Sequence, residues 1–173
     1  RSLLESALER FEHLETKRGI IGAPMPAMEI LWTTDEKADA LDAYRGRVVV
    51  LDFWATWCRP CIASFPDLRA LRERYDEHDV AILGVTSLQG RHYPRPGAAP
   101  IDTTDDPERE FTLMRSFIDE HAITWHTVFT RGPVINPAYA VEGVPHLVII
   151  DREGVVRHNA LHPSDEDIMT KID

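Results

Sequence analysis

Cysteine is scarce in this sequence, and a long apolar run is missing. Only two of the 173 residues are cysteines, so the chain cannot build the framework of several disulfides that stabilises many small secreted proteins. No apolar stretch approaches the roughly 20 residues that a membrane-spanning helix requires, and we expect no transmembrane segment in this chain. Because the chain begins with Arg1 rather than Met, we expect a processed or excised piece, and a membrane tether outside it stays open.

Basic residues are also few. The chain has 19 lysines and arginines against 29 acidic residues, which gives a formal net charge of −10 at pH 7. Nucleic-acid interfaces need clustered lysine and arginine, so this balance argues against a nucleic acid as partner. The length and a hydrophobic content of 43% fit a globular domain with a sizeable core.

Both cysteines lie in one stretch, residues 48–61, which reads VVVLDFWATWCRPC. The segment Val48–Phe53 is mostly β-branched or large and apolar, which predicts a buried strand. The cysteines follow it three positions apart, as Cys58 and Cys61. The stretch therefore predicts a buried strand that runs directly into a Cys-x-x-Cys turn.

The remaining pattern alternates between strands and helices. It predicts further strands at 28–32, 80–86, 125–130, 146–150 and 155–159, and helices at 2–18, 62–75, 107–121 and after Ser164, which we expect to cap the last one. Pro66 should kink the helix at 62–75. The four-residue turn at 151–154 forces its two strands to be antiparallel, whereas the strands at 48–53 and 80–86 should be parallel. The sequence thus predicts an α/β fold with a central mixed sheet flanked by helices, made of a helical extension or linker at 1–19 and a domain at 20–173.

Two physical arguments make Cys58 a candidate nucleophile. It lies where the strand turns into a helix, and since Pro60 has no N–H, the N–H of Cys61 is the donor available to a thiolate at the helix N-cap. Residues three apart in a first helical turn have Cα atoms about 5 Å apart, which suits a disulfide. Cys58 can therefore attack a substrate disulfide, and Cys61 can resolve the mixed disulfide that results.

The sequence WCRPC after an apolar strand resembles the thioredoxin-like disulfide oxidoreductases, and residues 48–61 look most like their TlpA-type branch. Separated features agree with this resemblance. Asp52 lies six residues before Cys58, Trp57 stands beside the motif, and Pro66 matches a helix-kinking proline. Val144 and Pro145 match the family's cis-proline dipeptide, whose two residues are joined by a cis peptide bond and precede a strand.

The resemblance implies a fold, an activity and roles for particular residues. It implies a thioredoxin-like fold and a bacterial, extracytoplasmic protein that exchanges electrons with protein thiols and disulfides and receives them from an upstream donor. Cys58 and Cys61 would be catalytic, and Asp52 would manage the proton of the resolving cysteine. The implied substrate-binding residues are Trp57, Arg59, Pro60, Val144 and Pro145. We expect no metal, and no cofactor other than the redox-active Cys58–Cys61 disulfide.

The sequence departs from the TlpA-type pattern at two places. Ser64 stands where relatives in cytochrome c maturation often have glutamate, and His146 follows the proline where many have threonine or serine. A further feature is the segment 87–106, which is rich in proline and glycine and is unusually long for a loop. Its position after a parallel strand predicts that it lies at the same edge as the cysteines, where it shapes substrate access. A disordered surface insertion is the alternative.

Other functions compete with disulfide exchange. His158 and His162 could complete a zinc site with the cysteines, but a gap of about 100 residues is unlike zinc-finger spacing. A thiol peroxidase is disfavoured because Leu51 and Ala55 stand where the peroxiredoxin pattern has proline and threonine. A non-catalytic redox-sensing or interaction domain of a larger protein stays open. Among disulfide exchangers, the proline between the cysteines favours a reductase over an oxidase.

Overall fold

The computed structural model describes residues 19–36 and 40–173. The strands are β1 (Ile30–Thr33), β2 (Val48–Phe53), β3 (Val80–Ser87), β4 (Arg91–His92), β5 (Ile101–Asp102), β6 (His126–Thr130), β7 (His146–Ile150) and β8 (Val156–Leu161). The α-helices are α1 (Arg59–Ala63), α2 (Phe65–Arg74), α3 (Pro107–Glu120) and α4 (Ile168–Ile172), and 3₁₀-helices form at Leu41–Tyr44 and Pro137–Tyr139. The helix predicted at 2–18 lies outside the described residues.

The central sheet is mixed and has six strands, in the order β1-β6-β3-β2-β7-β8. β3 is parallel to both β2 and β6, whereas β7 is antiparallel to β2 and to β8. This arrangement confirms the predicted α/β fold, including the parallel pair and the antiparallel hairpin. β4 and β5 form a separate two-stranded ribbon.

The two faces of the sheet are covered differently. Side chains alternate along β2, so Val50 packs with the helices on one face while Leu51 packs on the other. The α-helices of the described residues contribute to the first face, where Phe65, Phe117 and Ile168 join the core. The second face is covered by the 3₁₀-helices and by irregular chain. We call the first side the helical face.

The helix predicted at 62–75 differs from the structure. Two helices replace it: α1 begins earlier, at Arg59, and Ser64 separates it from α2. Pro66 lies in the first turn of α2 and has no N–H to donate to Ile62, so the hydrogen-bond ladder is interrupted at this point. The proline therefore divides the predicted helix instead of only kinking it.

The prediction that Ser164 caps the last helix is wrong. α4 begins at Ile168, and its N-cap position is Asp167. The Ser164 hydroxyl donates instead to the carboxylate of Asp67 on α2, at 2.5 Å. A side chain that is already bonded across the fold is not available to cap a helix beginning four residues later.

Within the described residues, no helix combines the length and the apolar character needed to cross a bilayer.

Candidate active site

A disulfide between Cys58 and Cys61 forms the start of α1. The two Cα atoms are 5.3 Å apart, which agrees with the spacing expected from the sequence. Cys58 is the N-cap residue, and its Sγ accepts a hydrogen bond from the backbone N–H of Cys61 at 3.2 Å. Because Pro60 has no N–H, this is the first-turn donor that meets the sulfur. The same N–H would stabilise a Cys58 thiolate once the disulfide is reduced.

The backbone of Val144 lies against this disulfide although it is 86 residues away. The Cys58 Sγ is 3.5 Å from the carbonyl oxygen of Val144, and the Val144–Pro145 peptide bond is cis. β7 begins at the next residue, His146, which pairs with Phe53 at the end of β2. This register explains the approach: the carboxyl end of β2 and the amino end of antiparallel β7 meet at one edge of the sheet.

Asp52 is buried on the helical face of β2. It shares this face with Val50 and Trp54, which pack in the same cluster as the two cysteines. Its side chain is almost completely buried, and neither carboxylate oxygen accepts a hydrogen bond. Burial alone raises the pKa of Asp52 to about 8. A carboxyl group with this pKa can both accept and release a proton near neutral pH.

The residues that neighbour Cys58 along the chain are exposed to solvent, whereas Cys58 itself is buried. Trp57 is 44% exposed, whereas Cys58 is only 3% exposed. Arg59 and Pro60 are also exposed. Of the five residues predicted to bind substrate, Trp57, Arg59 and Pro60 flank Cys58 along the chain, and Val144 with Pro145 is brought to Cys58 by the fold.

The segment 87–106 is ordered around the buried carboxyl group of Glu110. Its Oε1 accepts from the N–H of Gln89 at 2.9 Å, and its Oε2 accepts from the N–H of Gly90 at 3.1 Å and from the Thr103 hydroxyl at 2.6 Å. The β4–β5 ribbon lies between these points. The alternative of a disordered insertion is thus wrong. Sequence reasoning missed Glu110, although an acid spaced four residues before Met114 on an apolar helix stripe was a usable signal.

This segment also contacts the Cys-x-x-Cys motif and the two residues that precede it. The N–H of Tyr93 donates to the hydroxyl of buried Thr56 at 3.3 Å, and the Trp57 indole N–H donates to the side-chain oxygen of Gln89. The guanidinium of Arg59 lies against Gly97. The segment therefore forms a wall next to the disulfide, on the side where Trp57 and Arg59 lie.

The two departures from the TlpA-type pattern have local partners. The Ser64 hydroxyl donates to the carbonyl oxygen of Cys61 at 2.8 Å, so this side chain supports the end of α1. Nε2 of His146 lies 2.7 Å from the side-chain oxygen of Asn159, and its ring meets Phe53 edge-on. Both side chains are buried, so neither presents a free group to a substrate. His158 and His162 belong to no metal-binding cluster among the described residues.

The fold and the site together define a thioredoxin-like protein, in which a Cys-x-x-Cys disulfide at a helix N-terminus faces a cis-proline loop. The model of the Redoxin family matches residues 20–172, and the chain belongs to that family.

Named relatives agree with this class. The chain is 28% identical over 137 residues to the thioredoxin-like protein YneN of Bacillus subtilis, covering 79% of this chain and 68% of that one. It is 25% identical over 136 residues to the thiol-disulfide oxidoreductase ResA of Bacillus thuringiensis, covering 79% and 66%. The chain thus spans about two thirds of the length of these relatives.

Solved structures share the fold. One is the thioredoxin domain of a thiol-disulfide oxidoreductase from Bacteroides vulgatus, which superposes with a TM-score of 0.63 at 20% identity, covering 88% of this chain and 94% of that one. At this identity the likeness concerns the fold alone.

Proposed function

We propose that this protein is a thiol–disulfide oxidoreductase that reduces disulfides of other proteins through Cys58 and Cys61. The observation that carries the proposal is the position of Cys58, which receives the Cys61 N–H at the start of α1 while it contacts the carbonyl of Val144. The ResA and YneN relatives support the same class of reaction.

The reaction begins from the reduced pair. The Cys58 thiolate attacks one sulfur of the substrate disulfide, a mixed disulfide forms, and the first substrate thiolate leaves. Cys61 then loses its proton, attacks the Cys58 sulfur and releases the second substrate thiolate. The product is the Cys58–Cys61 disulfide of this structure, and two electrons have passed to the substrate. An upstream dithiol of another protein must return two electrons to start the next cycle.

Asp52 is the group proposed to accept the proton of Cys61. It lies on the face of the sheet that the cysteines cover, and burial raises its pKa into the range where it can take up a proton. Since neither carboxylate oxygen accepts a hydrogen bond from another protein group, its lone pairs are available to take up that proton. An amide at this position would retain the shape but could not act as a base.

The substrate is proposed to bind as an extended chain across Val144 and Pro145. The exposed Trp57 provides an apolar surface next to Cys58. A groove of about 450 Å³ continues from Gly143 and Pro145 towards Leu161 and His162, and gives the chain room to leave the site. The wall formed by residues 87–106 would then limit which proteins can bring a disulfide up to Cys58.

We place the protein outside the cytoplasm, on the strength of its TlpA-type resemblance. Fractionation of the host cells tests this location. Recovery with a cytoplasmic marker would contradict it.

The activity is tested by following reduction of a protein disulfide, with a dithiol as electron source. We expect turnover by the wild type, none by Cys58→Ser, and a trapped mixed disulfide in Cys61→Ser. In Asp52→Asn, the mixed disulfide should persist longer because resolution is slowed. Absence of any trapped species would favour a redox-sensing domain, and rapid consumption of peroxide would favour a thiol peroxidase.

The direction of electron flow is tested by a redox titration of the cysteine pair. Proteins of this fold have potentials from about −270 mV in reductases to about −120 mV in oxidases. We expect a value nearer the lower limit. A potential near −120 mV would overturn the reductase assignment.

A further inference from the structure

Five unpaired polar atoms surround one glycine in the core. Among the described residues, six buried side-chain nitrogen or oxygen atoms have no hydrogen-bond partner. Five of them belong to Asp52, Trp54, Trp125 and Thr127, and all of these side chains border Gly84 on β3. Buried polar groups without a partner are costly, so five around one point call for a physical explanation.

The sheet register puts an acid and a hydroxyl on either side of this glycine. Gly84 pairs with Asp52 on β2 and with Thr127 on β6. Neighbouring strands are about 4.8 Å apart, and paired residues point to the same face. Asp52 and Thr127 therefore flank the position where Gly84 has no side chain, on the helical face.

Two indole groups close the space above the glycine. A Cβ added at Gly84 would lie 2.8 Å from Nε1 of Trp54 and 3.0 Å from Nε1 of Trp125. Both nitrogens are buried and neither donates to a protein atom. Both distances are too short for a Cβ, so only glycine fits beneath the two indole nitrogens, and both N–H donors lie at this point.

The hydrogen-bond donors and acceptors around Gly84 match those of a water molecule. The indoles supply two N–H donors, ionised Asp52 supplies two acceptor oxygens, and the Thr127 hydroxyl can do either. A water molecule accepts two hydrogen bonds and donates two, so it can join the indoles to the carboxylate.

Among the described residues, no charged side chain shifts the pKa of Asp52, for which burial is the only cause. The neighbour of Asp52 on β7 is Leu147, and the nearby titratable groups of α1 are Cys58 and Cys61, which are joined as a disulfide.

We propose that the space above Gly84 is an internal hydration site, whose water bridges Asp52 to Trp54, Trp125 and Thr127 and holds its carboxylate ionised. Trp54, Trp125, Thr127 and Gly84 are then positioning residues, because they act on the reaction only through Asp52. The significance for catalysis rests on the proposed function, whereas the hydration site itself does not.

Hydration at this point should lower the pKa of Asp52. Donors that reach the carboxylate through water favour its ionised form, and therefore lower the pKa of Asp52 from the level that burial alone sets. A protonated Asp52 would offer an O–H to a water whose lone pairs the indoles already occupy. Removal of a donor, or of the space for water, should raise the pKa of Asp52.

A crystal structure of the oxidised protein at high resolution provides the first test. We expect ordered solvent density within hydrogen-bond distance of the Asp52 carboxylate and of at least one indole nitrogen. Direct contact between an indole nitrogen and the carboxylate, with no ordered water, would overturn the proposal.

Titration of Asp52 in the oxidised protein, followed by ¹³C NMR of its carboxyl carbon, provides the second test. Asp52→Asn identifies the resonance. The variants are Thr127→Val, which preserves side-chain volume, Gly84→Ala, which fills the space, and replacement of Trp125 by β-(3-benzothienyl)alanine, which keeps the ring system but removes the N–H. The same replacement at Trp32, which packs against Phe111 elsewhere, is the control.

We expect the pKa of Asp52 to rise by about one unit in each variant that folds, the size of one hydrogen bond to a charged group, and to be unchanged in the Trp32 control. An unchanged or lowered pKa in Thr127→Val and in the Trp125 variant would overturn the proposal. Neither test uses a substrate. A protein that shows the solvent and the shifts but reduces no disulfide would retain the hydration site and lose the proposed function.

Discussion

Glu110 on α3 accepts the backbone N–H of Gln89 at 2.9 Å, and Gln89 in turn accepts the indole N–H of Trp57 beside the disulfide. A buried acid thus connects a helix to the outer surface of the active site through a single loop residue. Sequence separation hides this connection, since Trp57 and Glu110 are 53 positions apart. The order of segment 87–106 therefore depends on Glu110, which makes the wall beside Cys58 testable.

Replacement of Glu110 by glutamine should loosen the wall. The amide would present an NH₂ group to donors that now meet a carboxylate oxygen, so we expect a loss of about 2 kcal/mol in the free energy of unfolding and faster hydrogen exchange at Gln89 and Gly90. Urea denaturation and exchange mass spectrometry measure the two effects. Glu108→Gln, on the exposed side of the same helix, is the matched control. Equal behaviour of the two variants would contradict the anchoring role.

Shortening the wall should change substrate choice. Replacement of residues 93–99 by a short glycine-serine linker removes the chain that lies beside Arg59 but retains the Glu110 anchor. We expect kcat/KM to change by different factors for protein substrates of different size, and to stay nearly constant for a small disulfide. The measurement is a comparison of several protein disulfides. A uniform change across all substrates would count against a role in selection.

Asp52 should make the oxidised protein less stable as pH rises. Its pKa is raised in the folded state, so the unfolded chain releases this proton at lower pH. Stability therefore falls from about pH 4 up to the folded pKa, which burial alone would place near 8. The slope is at most about 1.4 kcal/mol per pH unit for one proton. Asp52→Asn should remove this dependence and gain stability relative to the wild type as pH increases. Urea denaturation from pH 5 to pH 9 measures it.

The surface variant Asp105→Asn provides the control, and its stability curve should run parallel to that of the wild type. Parallel curves for Asp52→Asn as well would show that the carboxyl group of Asp52 is not the source of the pH dependence.

His92 should make the wall sensitive to acid. Its ring is buried edge-on against Phe117, and desolvation lowers its pKa. The unfolded chain therefore binds this proton at higher pH than the folded protein, so stability is complete above about pH 6.5 and is lost as pH falls below it. His92→Phe retains an aromatic ring and should reduce this loss. Urea denaturation of the wild type and of His92→Phe at pH 7.5 and pH 5.5 measures the loss of stability in each.

The exposed His78 gives a matched substitution for this comparison. His78→Phe should retain the acid sensitivity of the wild type. If His92→Phe loses as much stability between the two pH values as His78→Phe does, the prediction fails.

Local patterns in the sequence were sufficient to predict several elements of the structure. The bounds of β2 and β7 agree to the residue with the strands predicted at 48–53 and 146–150, because a central strand that is buried on both faces has a nearly continuous apolar sequence. The cap donated by Cys61 and the separation of the cysteines also follow from the first helical turn alone. The predicted cap by Ser164 failed because a residue distant in sequence, Asp67, takes its hydroxyl.

The sequence by itself determined the strand, the turn, the cysteine pair and the family resemblance, since all of these depend on residues close together along the chain. Only the tertiary structure decided that the Val144 carbonyl meets Cys58, that Glu110 orders the wall, and that Trp54 and Trp125 converge on Gly84. The reason is physical: these contacts depend on strand order and register. A shift of one residue in the pairing of β2 with β3 would turn Asp52 away from the cysteines and from the indoles.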